Sequence, residues 1–304
     1  MTELAARSQM SARALVAADG CGTACGTFGE LLQGALIDAD SDFLVTLPIA
    51  RSSTAHFELA PDRNTVSVHP AGKCKSRQLA ELMLRRHGLG CGGTLTLTTE
   101  LPEGKGHASS SADLVATARA VGGAIGVNPD PAEIETLMAT IEPSDGVMYA
   151  GVVAFHHRRV RLLAHLGHLP PITIVGIDEG GQLDTVAFNR QPKRFSMAER
   201  REYDHLLAVV SAAVRSGDLG AIGRVATRSA VLNQRLRPKA KLTDMITLAE
   251  TTGALGVVTA HSGTILGLMF ADNDHEYDEK VAAARHACRV LAGDSWIDRT
   301  QVAS

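Results

Sequence analysis

The sequence predicts a protein of the α+β class. Segments that alternate polar and apolar residues, such as 93–99, are typical of half-buried strands. Segments in which apolar residues recur every three or four positions, such as 203–214, are typical of amphipathic helices. Both kinds occur on each side of Pro170 and Pro171, which mark a natural boundary in the chain. Strands followed by helices in this way indicate a mixed sheet covered by helices, and therefore the α+β class.

The first half begins with a tail and a glycine-rich segment. Residues 1–20 mix charged residues among alanines without an unbroken apolar run, so we expect a flexible tail rather than a signal peptide. Residues 21–34 contain four glycines, so this segment predicts strand, turn and close backbone approach. The next expected elements are strands at 43–47, 53–59, 66–68 and 93–99, helices at 75–87, 114–125 and 131–141, and strands at 147–155 and 160–163.

The second half opens with an apolar segment, 172–177, that predicts a buried strand. Ser196 and Glu199 form the capping-box pattern at the start of a helix, whose apolar face continues to Val214. The remaining expected elements are helices at 219–232 and 241–252, strands at 256–260 and 264–270 around a turn at 261–263, and a last helix at 277–291.

Composition and charge argue against several classes of function. Hydrophobic residues make up 45% of the 304 residues and charged residues 21%, as in ordinary soluble globular proteins. A net charge of −3 and an aromatic content of 4% give no reason to expect nucleic acid or a membrane surface as a partner. The five cysteines are an odd number without paired metal-ligand spacing. They indicate reduced thiols in a cytoplasmic protein rather than a zinc site.

The most informative stretch is residues 101–113, which join the strand at 93–99 to the next helix. Gly104 and Gly106 let the backbone approach a ligand closely, and a helix N-terminus offers unpaired N–H groups with a partial positive charge. The spacing of Ser110 and Asp113 resembles a capping box. The stretch fits neither the P-loop nor the dinucleotide-binding pattern. Glycine and serine are common in ordinary turns, so these residues alone leave a phosphate site and a plain turn both open.

This stretch resembles the phosphate loop of the GHMP kinases, a family that includes galactokinase, homoserine kinase and mevalonate kinase. The family's loop has the approximate pattern Pro-x-x-x-Gly-Leu-x-Ser-Ser-Ala. The chain matches that pattern with Pro102, Gly106, Ser109 or Ser110, and Ala112. His107 takes the place of the usual leucine.

Four further segments extend the resemblance over most of the chain. They are the Gly-Glu pair at 29–30, the Glu-Pro-Ser-Asp-Gly segment at 142–146, residues 184–190, and the glycine-containing loop at 260–264. Together they look most like the branch that contains the L-threonine kinases of cobalamin synthesis and propanediol operons. The chain departs from the family in one respect. Thr27 and Phe28 stand where a lysine or arginine is usual.

The resemblance implies a two-domain fold and an ATP site. After the tail at 1–20, an S5-like α+β domain at 21–170 would carry the phosphate loop. A ferredoxin-like domain would follow at 171–304, and the site would lie between the two domains. The expected partners are ATP and a small hydroxy-amino acid, with no nucleic acid or membrane, and a homodimer stays open as the assembly state.

The resemblance also implies roles for particular residues. The loop would hold the ATP phosphates, where we expect a side chain at Gly106 to enter the phosphate space. The loop positions are Pro102, Gly104, Lys105, Gly106, His107, Ala108, Ser109, Ser110 and Ser111. Ser110 and Glu142 would bind Mg²⁺, with Glu135 as the alternative to Glu142. Asp145 would accept or orient the hydroxyl proton; a turn or capping aspartate is the alternative. The candidates for substrate contact are Glu30, Gln33, Asp184, Asn189 and His261.

The function that this pattern implies is an ATP-dependent kinase of a small hydroxyl compound, with L-threonine as the expected acceptor and O-phospho-L-threonine as the product. Phosphoryl transfer asks the protein mainly for positioning and charge neutralisation, which a glycine-rich loop, a metal site and a carboxylate supply. Homoserine and amino alcohols are alternative acceptors. A ligand sensor of the same fold that has lost phosphate transfer is the alternative from a different class.

Overall fold

In the part of the chain that the structure describes, ten strands form one sheet that organises the protein. The computed structural model describes residues 18–38, 42–180 and 195–301. The strands are β1 (Asp19–Ala35), β2 (Asp42–Ala60), β3 (Val66–His69), β4 (Gly92–Thr99), β5 (Val152–His156), β6 (Arg161–Gly167), β7 (Ile172–Asp178), β8 (Gly256–Thr259), β9 (Ile265–Ala271) and β10 (Trp296–Arg299).

Helices cover this sheet and complete the mixed α+β architecture that the sequence predicts. Those in the described residues are α1 (Cys74–Arg86), α2 (Ser109–Ile125), α3 (Pro131–Met138), α4 (Met197–Ser216), α5 (Leu219–Asn233), α6 (Leu242–Thr252) and α7 (Tyr277–Ala292). Within the described part of the chain, none of them has the length and apolar character needed to cross a membrane.

The strand order shows how the two halves of the chain join. The order β10-β7-β9-β8-β1-β2-β4-β3 places the strands of the second half side by side. Their antiparallel order, fourth-first-third-second, is the ferredoxin-like arrangement. The halves meet where Glu30 of β1 pairs with Thr259 of β8. The sheet is therefore continuous across Pro170 and Pro171, and the division into domains at this point stays a prediction.

Several expected boundaries differ from those observed, and β10 was not expected at all. The strands expected at 43–47 and 53–59 form one strand, β2. Pro48 does not interrupt it, because Pro48 lies where the pairing of β2 with β1 is irregular and a missing backbone N–H breaks no regular hydrogen bond between the strands. The strand expected from Val147 begins at Val152, after a turn at Gly151 with φ +73°. β1 already begins at Asp19, while residues 1–17 of the expected tail lie outside the described residues.

Helix α2 lies at the centre of the larger core. Most of its residues are buried, including Leu114, Val115 and Val121. It packs closely on β1, because a Cβ atom at Gly22 would lie only 2.3 Å from the carbonyl oxygen of Ala116. This close packing fixes the position of the helix N-terminus and of the loop that precedes it.

The C-terminal strand ties the second half to the first through the buried carboxylate of Asp298. This carboxylate pairs with Arg51 Nε of β2 at 2.7 Å and accepts a hydrogen bond from Trp296 Nε1 at 2.7 Å. His107 Nε2 lies 3.7 Å from the same carboxylate. Thr300 forms an isolated bridge with Ile49 of β2. β10 thus reaches both β2 and the loop before α2.

We predict that Asp298→Ala lowers the free energy of unfolding by about 2–4 kcal/mol, because Arg51 and the Trp296 indole would lose their buried partner. Urea denaturation measures the change. The control is Glu81→Ala, which removes a pair with Arg85 that is 4.0 Å long and exposed, and it should cost less than about 0.5 kcal/mol. Equal small losses in the two variants would contradict a structural role for Asp298.

Candidate active site

The loop between β4 and α2, residues 100–108, is held from two sides by backbone hydrogen bonds. From β1, the N–H of Gly29 donates to the carbonyl of Gly106 at 2.9 Å, and the N–H of Thr27 donates to His107 at 3.1 Å. From the turn at 260–264, the N–H of Thr264 donates to the carbonyl of Lys105 at 2.8 Å. The path of this glycine-rich loop is therefore fixed by both halves of the chain.

The N-terminus of α2 has no side-chain cap. The N-cap residue, Ala108, has a left-handed conformation with φ +53°, and the first helical turn contains no acidic residue. The amides of the first turn, Ser109 to Ser111, precede the first hydrogen bond of the helix, from Ala112 N–H to Ala108. The predicted capping box is wrong, because Asp113 accepts from Ser53 and Lys73 instead. This helix end can hold an anion.

A cleft of about 360 Å³ opens in front of these amides. It brings together nine residues that the sequence marks as candidates, namely Glu30, Gly104, Gly106, Ala108, Ser109, Ser110, Ser111, Glu142 and Asp145. It also adds Lys73, Lys75, Ser144, His157 and Ser262, which sequence reasoning did not assign to a site. In the sequence, the two lysines are marked only by their position at the start of the helix α1. That position does not predict that α1 begins beside α2.

Glu142 is buried in the cleft wall and its two oxygens have different partners. Oε1 accepts a hydrogen bond from the hydroxyl of Ser110, and Oε2 pairs with Nζ of Lys75. Glu135 lies outside the cleft lining, and its carboxylate accepts from the backbone N–H of Leu162 at 2.6 Å. The geometry therefore favours Glu142 over Glu135 as a metal ligand.

The donor set at Ser110 and Glu142 suits Mg²⁺, which prefers oxygen ligands and keeps several waters. Among the described residues, no group of three or more histidine, cysteine, aspartate or glutamate side chains is arranged to hold a metal. A site with one hydroxyl and one carboxylate from the protein would leave the remaining positions to water and phosphate oxygens. The five cysteines are all free thiols, and of these Cys74 lines the cleft.

Asp145 lines the cleft beside the N-terminus of α2. Its backbone N–H donates to Ser111 Oγ at 3.1 Å, which ties the segment after α3 to the first turn of α2. Burial, together with the nearby charges of Glu30 and Glu142, raises the pKa of the Asp145 carboxyl to about 7. A carboxylate with a pKa near 7 can take up a proton at neutral pH.

Glu30 connects the cleft to a buried hydrogen-bonded chain. Its Oε2 accepts from the backbone N–H of His261 at 2.9 Å and lies 2.8 Å from the ring Nδ1. Because a carboxylate only accepts, this arrangement assigns the proton to Nδ1. His261 Nε2 then accepts from the Ser229 hydroxyl at 2.8 Å. Ser229 is fully buried, so this chain orients Glu30 and offers no accessible nucleophile.

The remaining candidates for substrate contact do not line the cleft. His261 is 1% exposed and faces Glu30 and Ser229, and Gln33 is 6% exposed. The Gln33 amide lies 3.5 Å from Nε2 of His157, which lines the cleft, so the Gln33 side chain stands behind His157. Asp184 and Asn189 fall outside the described residues.

Three residues of the glycine-rich loop direct their side chains away from the cleft or do not line it. Lys105 pairs with Asp178 at 2.7 Å. His107 is buried, and its ring packs edge-on against Phe28 at 5.7 Å between centroids. Pro102 does not line the cleft. Any contact of Lys105 or His107 with a ligand in the cleft would therefore be through the backbone.

Gly106 lines the cleft, but the expectation that a side chain there would enter the phosphate space is wrong. Its φ is +108°, and a Cβ atom would lie 2.1 Å from Ala260 Cβ and 3.3 Å from Gly263 Cα. In the reverse direction, a Cβ atom at Gly263 would lie 2.0 Å from the carbonyl oxygen of Lys105. The two glycines are therefore needed for the close contact of the loop with the turn at 260–264.

Comparison with known proteins identifies relatives of this chain. Residues 75–154 match the family described as the GHMP kinases N terminal domain. The L-threonine kinase of Salmonella typhimurium is 28% identical over 263 residues, covering 86% of this chain and 85% of that protein. The L-threonine kinase of Citrobacter freundii is 26% identical over 259 residues, covering 85% of this chain and 88% of that protein.

The fold is also similar to that of solved kinases. The crystal structure of homoserine kinase from Cytophaga hutchinsonii superposes with a TM-score of 0.72 at 15% sequence identity. The superposition covers 95% of this chain and 96% of that one. The likeness therefore extends through both halves of the chain and confirms the predicted fold class.

We predict that Gly106→Ala lowers the free energy of unfolding by about 1–3 kcal/mol, because the new Cβ atom meets Ala260 and the residue keeps a positive φ. Urea denaturation of the single variant measures this loss. The double variant Gly106→Ala with Ala260→Gly removes the steric contact and should recover part of the lost stability. Wild-type stability in the single variant would mean that the loop and the turn do not pack as described.

A second prediction follows from the raised pKa of Asp145, in protein free of metal and nucleotide. Between its ordinary value, 3.8, and about 7, the folded state holds a proton that the unfolded state has released. The contribution of Asp145 to stability therefore falls as pH rises through this window and is constant above it. Asp145→Asn should lose this dependence, as urea denaturation at about pH 5 and about pH 8 would show. The same pH dependence in both proteins would contradict the raised pKa.

Proposed function

We propose that this chain is a GHMP kinase, an ATP-dependent phosphotransferase whose alcohol acceptor is a hydroxy-amino acid. L-Threonine, giving O-phospho-L-threonine, is the proposed substrate. The L-threonine kinases that match over most of the chain support this choice. The observation that carries the proposal is the cleft itself, which joins an uncapped helix N-terminus to a cluster of carboxylates.

The ATP phosphates are proposed to lie in front of the first turn of α2. The amides of Ser109, Ser110 and Ser111 would donate to phosphate oxygens, and the partial charge of the helix end would favour the anion. Gly104 and Gly106 line the same part of the cleft, so the loop backbone can approach the phosphates. Lys105 and His107 would contribute through their backbone.

Ser110 and Glu142 are proposed to hold Mg²⁺, which neutralises charge on the phosphates when it is bound. Support comes from their mutual hydrogen bond at the cleft wall and from the burial of Glu142. In this arrangement the Ser110 hydroxyl exchanges its bond with Glu142 for a metal contact. The Glu142 carboxylate is held in place from its other oxygen by Lys75.

Asp145 is proposed to orient the acceptor hydroxyl and to take its proton. The hydroxyl oxygen forms a bond to the γ-phosphorus as the bond to the β–γ bridging oxygen breaks, and ADP leaves. The raised pKa of Asp145, caused by burial and by the charges of Glu30 and Glu142, matches a proton acceptor that works near neutral pH. Glu30 would receive the ammonium group of the amino acid, because its carboxylate lines the cleft and lies close enough to Asp145 for its charge to act on that residue.

The proposed function extends to the domain organisation, the location and the pathway of the protein. The chain would act as two domains, 21–170 and 171–304, with Asp19 and Gly20 already in the first strand of the first domain. A cytoplasmic location suits an enzyme that uses ATP and whose five cysteines are free thiols. A role in cobalamin synthesis is proposed from the likeness to the L-threonine kinase branch.

The proposal is tested by an ADP-release screen with L-threonine, L-serine, homoserine and short amino alcohols. We expect turnover with L-threonine to exceed that with the other acceptors. Asp145→Asn, which keeps the shape of the side chain, should lower kcat on the order of 10²-fold or more with little change in ATP affinity. Preference for homoserine or an amino alcohol would change the substrate. ATP binding without transfer to any acceptor would favour the ligand sensor.

We predict that Glu142→Gln raises the Mg²⁺ concentration needed for half-maximal activity and lowers kcat more than it weakens threonine binding, because a metal ligand loses its charge. Glu135→Gln is the matched control, since its carboxylate binds a backbone N–H outside the cleft. It should leave the Mg²⁺ requirement unchanged. If Glu135→Gln raised the Mg²⁺ requirement and Glu142→Gln did not, the metal ligand would be Glu135 and not Glu142.

A further inference from the structure

Two lysines at the start of α1 face the phosphate end of the cleft, and they differ in how firmly they are held. Lys73 Nζ pairs with Asp113 Oδ2 at 2.6 Å and also with Glu103, and its side chain is 14% exposed. Lys75 Nζ pairs with Glu142, and its side chain is 48% exposed. Lys73 is therefore engaged by two carboxylates, whereas Lys75 can turn toward a ligand in the open cleft.

The charge in the cleft calls for such a cation. Among the described residues that line the cleft, Lys73 and Lys75 are the only lysine or arginine residues, whereas five residues carry a carboxylate. Those carboxylates belong to Glu30, Glu103, Asp113, Glu142 and Asp145. β1 supplies no cation where it passes the glycine-rich loop, because Thr27 and Phe28 are uncharged and buried. A triphosphate entering this cleft meets strong repulsion unless a lysine compensates it.

The position of Lys75 suits the end of the triphosphate that reacts. The Glu142 carboxylate lies between two partners, because Oε1 accepts from Ser110 and Oε2 pairs with Lys75. If Ser110 and Glu142 hold the metal, the lysine stands on the other side of the same carboxylate. A phosphate oxygen bound to that metal would then lie within reach of the Lys75 ammonium.

We propose that Lys75 contacts the γ-phosphate of ATP and neutralises charge on it during transfer. This inference rests on the proposed function, because it places ATP in the cleft. A γ-phosphate contact of this kind is lost when ATP becomes ADP. The proposal therefore concerns the difference between the two nucleotides, and a lysine that merely pairs with Glu142 would not produce that difference.

The test compares Lys75→Met, Lys75→Arg and Arg77→Met. Arg77 lies on the same helix, is exposed and does not line the cleft, so its variant removes one positive charge nearby without touching the site. Calorimetry in the presence of Mg²⁺ gives the affinities for ADP and for a non-hydrolysable ATP analogue. Steady-state ADP release gives kcat and KM, and urea denaturation gives stability.

We expect Lys75→Met to weaken binding of the ATP analogue about tenfold with little change for ADP, because one charge-assisted contact to the γ-phosphate is lost. We expect kcat to fall on the order of 10²-fold, as for loss of one transition-state contact. Lys75→Arg should restore most of both, because it keeps the charge. Arg77→Met should behave as wild type.

Two results would overturn the inference. Unchanged analogue affinity in Lys75→Met would leave the lysine only as a partner of Glu142. Equal losses of affinity for ADP and for the ATP analogue would mean that Lys75 acts through the overall electrostatic potential of the cleft and not through a contact with the γ-phosphate. Failure of the proposed function gives a different result, since the wild-type protein would then transfer phosphate to none of the acceptors. The nucleotide affinities of the wild type and the variants would still test the role of Lys75.

Discussion

The close contact between the glycine-rich loop and the turn at 260–264 is the constraint on which the site depends. Gly106 and Gly263 meet with no room for a Cβ atom on either. Behind the turn, Arg237 donates to the carbonyl of Ser262 and Lys239 donates to that of Gly263. Burial lowers the pKa of Lys239 to about 8, with the Arg237 charge acting in the same direction. The protein keeps a costly buried cation where it secures this turn.

The same contact places the charges of the cleft. With the loop fixed against both halves of the chain, the uncapped N-terminus of α2 faces open space. The start of α1 brings two lysines to the cleft, where five carboxylates, including Glu30 and Asp145, also stand. Asp145 is tied to the first turn of α2 through Ser111. The buried chain from Glu30 through His261 to Ser229 connects this cluster of charges to the second half.

Sequence patterns predicted the parts of the site that depend on local structure. A strand, a glycine-rich loop and a helix were expected at 93–125, and Ser110, Glu142 and Asp145 do meet in one cleft. The direction of side chains was harder to predict, because it is set by tertiary packing. His261 turns toward Glu30, and His107 packs against Phe28 in the core.

The two lysines of the cleft also could not be predicted from the sequence as site residues. Lys75 was expected only as the first residue of a helix, since its sequence neighbours do not tell which element lies opposite. The space around Gly106 also depends on a segment more than a hundred residues away, at Ala260. Residue type and spacing thus predicted the strand, loop and helix of this region, and the resemblance implied the roles of the loop residues, whereas the partners of those residues come from packing between distant segments.

The most direct test of this account is a crystal structure of the protein with Mg²⁺, a non-hydrolysable ATP analogue and L-threonine. The account predicts the triphosphate at the amides of Ser109 to Ser111. It predicts Ser110 and Glu142 as the protein ligands of the metal, with oxygen distances of about 2.0–2.1 Å. A triphosphate bound away from the N-terminus of α2, or a metal that touches neither Ser110 nor Glu142, would contradict it.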